Sequence, residues 1–259
     1  MPVVLFFGGN GHSGARLAAV RAVLDRMGPA APFELCDLPY PGFEGRPSAT
    51  DREAFLDTCA RAASPVVARE AVLVYATGIG ALFAVTLRAR RRLGAHPLVL
   101  QGPVLWGLEH RWMPRLARAG LAPLIPRLFR WPSFQRDFVR RHFLAAPDQA
   151  ARAGFFDGYA QCAAAADLFR WCGPAWLRDV ERTITGDPGT LDRIGVWCGA
   201  HDRVVGPSEL RWTERALGLR WPERTFRAWG HYPMIDDPEG WVRAVAATVA
   251  AGPAVRIDR

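Results

Sequence analysis

The chain has 259 residues, of which 50% are hydrophobic and 22% charged, a composition typical of a globular protein. No uninterrupted apolar run approaches the ~18 residues that a membrane span needs, so stable membrane insertion is not expected. The apolar run after Met1 is too short for a signal peptide and has no basic segment before it. These features predict a cytoplasmic protein.

The formal net charge is +8, and all 33 basic residues are arginine. The complete use of arginine in place of lysine is typical of a codon bias. A nucleic-acid binder should combine clustered basic residues with a recognisable reading element, so nucleic acid is not an expected partner. The five cysteines are scattered and include no CxxC pair, which predicts reduced thiols and no zinc site. We expect neither a metal nor a cofactor.

Six short segments predict strands, in chain order, at Pro2–Phe7, Phe33–Leu38, Ala71–Tyr75, Pro97–Leu100, Ile194–Cys198 and Thr225–Ala228. Helical spacing of apolar residues predicts helices at Ser13–Met27, at Ile79–Leu93 before a Gly94 stop, and at Glu239–Ala251. Thr50 and Glu53 form a capping-box pattern at the start of a further helix that runs to about Ala63. This alternation predicts an α/β fold in which helices flank a mostly parallel sheet.

Residues 103–187 interrupt the alternation with several helical segments and no clear strand. We interpret this stretch as a helical cap inserted after the fourth strand, and residues 1–102 and 188–259 as the core. In parallel sheets ligands bind beyond the carboxyl ends of the strands, so the site is expected in the loops that follow them.

Four of these loops resemble loops of the α/β-hydrolase family. VVLFFGGNGHSG is similar to the oxyanion loop, although the usual His-Gly start is here Phe7-Gly8, and DLPYPGFEGRPS is similar to an expanded Asp-x-Pro-Gly-x-Gly-x-Ser loop. GVWCGAHDRVV resembles the loop of the catalytic acid, here Asp202, and WGHYPMIDDPEGW the loop of the catalytic histidine, here His231. The four stretches occur in the family's order and span nearly the whole chain outside the cap.

The stretch VLVYATGIGALFAV departs from the family at the nucleophile. The family's strained elbow follows the pattern small-x-nucleophile-x-Gly. Placing Thr77 at the nucleophile position puts bulky residues at both flanking positions, whereas placing Gly78 there puts Ala76 and Gly80 in them. We therefore align Gly78 with the nucleophile, and covalent acyl-enzyme chemistry does not carry over to a glycine.

The resemblance implies that His231 and Asp202 form a dyad in which the imidazole is a general base. Alternatively, each of these two residues lies in an ordinary turn and has no catalytic role. Glu109 is the alternative for the catalytic acid. The resemblance also implies an oxyanion hole made by backbone N–H groups of Ile79 and of Gly9 or Asn10.

Two hydroxyls could replace the missing nucleophile, those of Ser13 and Thr77. Further candidate pocket residues are His12, Ser13, Trp106, Glu109 and Tyr232. A metal site built from His12, His231 and Asp202 has no support from spacing.

Arginines alternate with aromatic and aliphatic residues between Arg111 and Phe143. The simplest interpretation is a set of amphipathic cap helices with a solvated arginine face. Two more specific interpretations of the arginines are a pocket for an acidic or carrier-bound substrate and contact with an anionic membrane surface.

The sequence thus favours an α/β-hydrolase-fold enzyme that acts on a small organic molecule through a His231–Asp202 base without a serine. Lyase, cyclase and cofactor-free oxygenase chemistry, and direct attack by water, fit such a base. The alternatives are a catalytically inactive ligand-binding or scaffold member and an esterase or thioesterase with a relocated nucleophile. The sequence does not fix the oligomeric state.

Overall fold

A six-stranded parallel sheet forms the centre of the molecule. The computed structural model describes residues 1–11, 13–69, 72–105, 111–144, 149–160, 162–186, 189, 193–217 and 223–251. The strands are β1 (Val3–Phe7), β2 (Glu34–Asp37), β3 (Val72–Thr77), β4 (Leu98–Gln101), β5 (Ile194–Gly199) and β6 (Glu223–Phe226). They lie in the order β2-β1-β3-β4-β5-β6, and every neighbouring pair is parallel. The predicted α/β class is confirmed.

The central strands are buried over their whole length. Every residue of β1, β3 and β4 is buried, which explains why these strands are continuous apolar runs rather than alternating ones. Phe6 stacks on Tyr75 across the β1–β3 pair, and Trp241 packs edge-on against both rings. This aromatic contact joins the sheet to the last helix.

Helices surround the sheet. They are α1 (Ala18–Met27), α2 (Arg52–Val67), α3 (Gly80–Ala89), α4 (Trp112–Leu116), α5 (Leu124–Leu128), α6 (Pro132–His142), α7 (Gln149–Ala160), α8 (Ala163–Trp171), α9 (Pro174–Gly186), α10 (Pro207–Leu217), α11 (Pro233–Asp236) and α12 (Pro238–Ala251). Helices α4 to α9 all lie between β4 and β5 in the chain, and we call residues 111–186 the cap segment. The division into core and cap domains stays a prediction.

Two helix ends differ from the sequence prediction. The side chain of Asp51, not Thr50, caps α2, because its Oδ1 accepts a hydrogen bond from the N–H of Ala54 at 2.9 Å. Helix α3 ends at Ala89 rather than Leu93. Arg91 has a left-handed backbone (φ 56°), so the chain turns before it reaches Gly94.

Two strands also differ in extent. Strand β3 continues two residues further than predicted, because Thr77 pairs with Gln101 of β4. Gly78 therefore follows the end of the strand directly. Strand β6 begins and ends two residues earlier than predicted. Within the described parts of the chain, no helix has the length and apolar content that a bilayer crossing requires.

Candidate active site

The carboxyl ends of β1, β3, β4 and β5 meet at one edge of the sheet, because all neighbouring strands are parallel and in register. The loops that follow them hold Gly9, Gly78, Gly102 and Asp202, and the loop after β6 holds His231. The sequence-predicted site residues of these loops are thereby brought to one place.

Gly78 occupies a sharp turn between β3 and α3. Its φ is 57°, a left-handed conformation that side chains other than glycine rarely adopt. A Cβ built on it would lie 3.5 Å from Nε2 of His231 and 3.9 Å from the Cα of Gly9. A hydroxyl on such a Cβ would be within hydrogen-bond reach of the imidazole. Gly78 and Nε2 of His231 therefore face each other at the carboxyl end of β3.

Gly80 and Thr77 flank this turn and explain its shape. A Cβ at residue 80 would clash with the carbonyl oxygens of Gly8 and Phe7, so only glycine lets α3 start this close to β1. The hydroxyl of Thr77 donates to Oε1 of Gln101 at 2.7 Å and is buried. Thr77 is therefore engaged with β4 rather than with His231.

His231 and Asp202 form a buried hydrogen-bonded pair. Nδ1 of His231 lies 2.8 Å from Oδ2 of Asp202, and their side chains are 4% and 0% exposed. Since a carboxylate only accepts hydrogen bonds, the imidazole donates from Nδ1. Nε2, the nitrogen that faces Gly78, is then the one free to accept a proton.

The second oxygen of Asp202 is also bound. Oδ1 accepts from the N–H groups of Val204 and Val205 at 2.8 and 2.9 Å. Burial raises the pKa of the Asp202 carboxyl, but the adjacent His231 and the two backbone donors together outweigh it, and the net pKa lies below the ordinary value. Asp202 is thus an ionised carboxylate at neutral pH, fixed at both oxygens.

Gly102 leaves room for this pair. Its φ is 49°, and a Cβ on it would lie 2.8 Å from Oδ2 of Asp202 and 3.0 Å from Nδ1 of His231. Both distances are too short for a side-chain carbon. The sequence analysis did not single out Gly102, since the need for glycine arises from contacts between distant segments.

Asn10 fixes the loop after β1. Its side-chain Nδ2 donates to the carbonyl of Ala165 in α8 at 2.8 Å, and its Oδ1 accepts from the N–H of Gly11 at 2.8 Å. Its own carbonyl accepts from the buried Arg16 at 3.1 Å. These three bonds hold the predicted oxyanion loop in place. Ile79 stands at the N-cap of α3, where backbone N–H groups lack intrahelical partners.

A cavity of about 270 Å³ opens onto these groups. Gly9, Asn10, Gly78, Ile79, His231 and Tyr232 line it. Ser13 does not line it; this residue precedes the short helix Gly14–Leu17, and its hydroxyl lies near Gly158. The candidates His12, Trp106 and Glu109 lie outside the described residues. In the described part of the chain, no cluster of three or more His, Cys, Asp or Glu could hold a metal ion.

Comparisons with solved structures support the fold. A haloalkane dehalogenase from Bradyrhizobium elkani superposes with a TM-score of 0.68 at 20% identity, over 96% of this chain and 90% of the other. A proposed aryl esterase from Burkholderia cenocepacia gives 0.67 at 17% identity, over 96% and 90%. A proposed lipase from Acinetobacter baumannii gives 0.66 at 12% identity, over 96% and 84%.

The chain has the α/β-hydrolase fold. At these identities the likeness shows the fold and not the activity. Comparison of the sequence with protein-family models and with curated proteins gives no match. The resemblance of the four loops agrees with the α/β-hydrolase fold, while the chemistry depends on the residues of the site.

Within this α/β-hydrolase fold, the cap segment adds a histidine that the sequence analysis missed. His142, the last residue of α6, lines the cavity, and its ring centroid lies 5.9 Å from that of His231. Its Nδ1 lies 2.8 Å from the carbonyl of Phe138, so Nδ1 carries the hydrogen and Nε2 is an acceptor. Burial and the nearby His231 lower the pKa of His142 to about 3, which leaves the ring neutral.

The other cavity walls are apolar and basic. Trp112, Met113, Phe134, Phe138 and Phe169 contribute apolar surface, and the arginines are Arg111, Arg141 and Arg203. Asp137, the one acidic residue among those that line the cavity in the described chain, forms an ion pair with Arg141. Arg111 likewise pairs with Glu209, so carboxylates balance two of the three arginines, and Arg203, in the loop after β5, supplies the remaining positive charge of the lining.

Proposed function

We propose that this protein is an enzyme for a small organic substrate, in which His231, oriented by Asp202, is a general base and no covalent enzyme intermediate forms. The observation that carries the proposal is the distance of 3.5 Å between Nε2 of His231 and the Cβ position at Gly78. Space that a nucleophilic side chain would fill is open to the substrate beside an assembled, buried dyad.

The reaction begins with proton transfer. Nε2 of His231 takes a proton from a C–H or O–H group of the substrate, and Asp202 stabilises the imidazolium that forms. For a C–H group beside a carbonyl, the electron pair of the broken bond moves onto the carbonyl oxygen, whereas for an O–H group it stays on the oxygen that lost the proton. Backbone N–H groups of Ile79 and of Gly9 or Asn10 stabilise that oxyanion. Lyase, cyclase and cofactor-free oxygenase reactions all proceed from such an anion, and the same base can activate water for direct attack.

The substrate that fits this cavity is small and acidic. A volume of about 270 Å³ lies at the lower end of ligand pockets. Arg203, with the paired Arg111 and Arg141 beside it, favours a carboxylate or phosphate on the substrate, free or on a carrier, and the aromatic walls favour an apolar body. The neutral Nε2 of His142 is placed to accept a hydrogen bond from a substrate hydroxyl.

Hydrogen–deuterium exchange tests the base without knowledge of the product. Small 3-oxo acids such as acetoacetate would be incubated with the protein in D₂O, and loss of the signal of the protons next to the carbonyl followed by ¹H NMR. We expect the native protein to accelerate the exchange over His231→Ala by about 10²–10⁴-fold. Asp202→Asn should fall between the two, since the base remains but its orientation is lost.

The same experiment separates the two alternative functions. Exchange at the background rate for the native protein, together with tight binding of the same acids, would instead support a catalytically inactive ligand-binding or scaffold protein. A hydrolase with a relocated nucleophile would be supported by ester hydrolysis that needs Ser13 or Thr77. The bond from Thr77 to Gln101 and the position of Ser13 outside the cavity argue against that alternative.

A further inference from the structure

Residues 111–144, which we call the cationic segment, hold nearly all of the protein's net charge. The segment contains eight arginines and one acidic residue, Asp137, a net charge of +7. The other 225 residues contain 25 arginines and 24 acidic residues, a net charge of +1. Codon bias explains the choice of arginine over lysine but not this separation of charge.

The same segment holds most of the exposed apolar side chains. Seven large hydrophobic residues are exposed in the described part of the chain, and two of them are methionines near the N-terminus. The other five are all in the cationic segment: Trp112, Leu121, Leu124, Trp131 and Leu144. Trp112 is 51% exposed and Trp131 57%. Exposed apolar side chains grouped in one region of a protein surface are typical of an interaction site.

Both tryptophans lie near the N-terminal end of α6. Trp112 is the first residue of α4, and its ring contacts that of Phe134 in α6 at a centroid distance of 6.0 Å. Trp131 is the N-cap of α6, three residues before Phe134. The N-terminal ends of α4 and α6 therefore meet there, and Trp112 with Arg111 also lines the cavity.

We propose that the cationic segment binds the surface of an anionic phospholipid membrane. Arginine side chains pair with lipid phosphates, and each arginine near the membrane surface raises the binding affinity about fivefold. Tryptophan and leucine enter the boundary between headgroups and acyl chains, where an amphipathic indole is favoured. Binding in this way would turn the cavity side of the cap toward the membrane. The proposal does not depend on the reaction at His231.

A phospholipid surface fits these features better than two other partners. A second copy of the chain would bring two cationic segments together, and the repulsion between their excess positive charges opposes self-association through this face. A nucleic acid would pair with the arginines but has no need of exposed leucines. An anionic membrane complements both the charge and the apolar side chains.

Vesicle sedimentation tests the proposal. The full chain would be mixed with vesicles of phosphatidylcholine alone, or of equal parts phosphatidylcholine and phosphatidylglycerol, at low and high salt. We expect binding to the anionic vesicles, little binding to the neutral ones, and partial loss at high salt. Trp131→Ser with Leu124→Ser should weaken binding at least tenfold. Arg127→Gln with Arg136→Gln should weaken it by about 25-fold, at about fivefold for each arginine.

The control variant combines Met27→Ser with Arg243→Gln, both outside the cationic segment. It removes one exposed apolar and one exposed basic side chain, the two kinds of side chain that the test variants remove. This variant should bind as the native protein does. Absence of binding to the anionic vesicles, or equal loss in the control, would overturn the proposal. Binding that needs the arginines but not Trp131 and Leu124, and that single-stranded DNA displaces, would mean nucleic acid instead. A dimer in light scattering that Trp131→Ser dissociates would mean self-association.

Discussion

Gly78 lies where a hydroxyl side chain would come within reach of the His231 imidazole. The residue already has the left-handed backbone of a strained turn, at φ 57°, and its Cβ position lies 3.5 Å from Nε2 of His231. We therefore predict that Gly78→Ser reacts covalently with a fluorophosphonate, detected by intact mass. The substitution should lower the free energy of unfolding by about 1–3 kcal/mol, because serine is strained at this φ.

Two controls isolate the role of the dyad in that reaction. Gly78→Ala carries the same strain without a hydroxyl and should stay unlabelled, as should the native protein. Gly78→Ser combined with His231→Ala should react far more slowly, since the serine then lacks its base. Labelling of the native protein would reveal a nucleophile elsewhere and would contradict the proposed base mechanism.

Gly102 lies against the Asp202–His231 pair, so a side chain at this position should disturb the pair. Gly102→Ala would place a carbon 2.8 Å from Oδ2 of Asp202, so the hydrogen bond to His231 must lengthen or break. We expect loss of the low-field ¹H NMR signal of the bonded Nδ1 proton, as in Asp202→Asn, and at least a tenfold loss of any His231-dependent exchange. Gly28→Ala is the matched control, since Gly28 has a similar left-handed φ of 53° and no atom lies within 4 Å of a Cβ there.

These residues show where sequence reasoning reaches its limit. The small residues around Gly78 and the motifs around Asp202 and His231 are local patterns, so a single chain suffices to suggest them. Gly102 and His142 have no local signature. Gly102 matters because of a contact across about 100 residues of sequence, and His142 follows two arginines at the end of an amphipathic helix. Its place in the cavity depends on how the cap segment folds back.

Among the secondary-structure elements, the loop after β1 and helix α8 depend on each other. Asn10 is buried and joins them through its bond to the carbonyl of Ala165, 155 residues away. Asn10→Ala leaves that carbonyl and the N–H of Gly11 without their partner. We predict a loss of about 1–3 kcal/mol in the free energy of unfolding by urea. Amide hydrogen exchange should also become faster at Gly9 and Gly11.

The pattern of amide hydrogen exchange distinguishes a local loss of the contact between the β1 loop and α8 from a general loss of stability. Thr86→Val is a suitable control, because it removes a buried side-chain bond, from Trp176, that lies away from the loop. That variant should lose stability without a local change at Gly9 and Gly11. Equal acceleration over the whole chain in Asn10→Ala would show that Asn10 does not hold the loop specifically.

The strands could be predicted from sequence because a parallel sheet buries both of its faces, so its strands are apolar runs. Their ends could not be predicted as well. Strand β3 reaches Thr77 because β4 pairs with it there, and helix α3 stops early because Arg91 turns left-handed. Both features come from partners and turns that apolar spacing does not encode. The presence of helices after β4 was predictable, but the faces of these helices that line the cavity were not.

For the molecule as a whole, Asp236 connects the cap segment to the histidine loop. Its Oδ1 accepts from the N–H of Leu144, after α6, at 3.0 Å, and its Oδ2 from the N–H of Gly230, beside His231, at 3.3 Å. Burial raises the pKa of Asp236 from 3.8 to about 6, although the two backbone donors oppose the rise. This carboxyl therefore makes stability depend on pH within a range where most carboxyls no longer titrate.

The sign follows from proton binding. Between pH 3.8 and about 6 the folded protein holds a proton at Asp236 that the unfolded chain has lost, so rising pH through this range destabilises the fold. Asp236→Asn removes this effect. We predict that the urea midpoint of the variant, relative to the native protein, rises between pH 4 and pH 7. Asp202→Asn should behave oppositely below pH 3.8, where the native protein loses the stability from its lowered pKa. A native-minus-variant difference for Asp236→Asn that does not change between pH 4 and pH 7 would mean that the fold does not raise the pKa of this carboxyl, because the two N–H donors offset its burial.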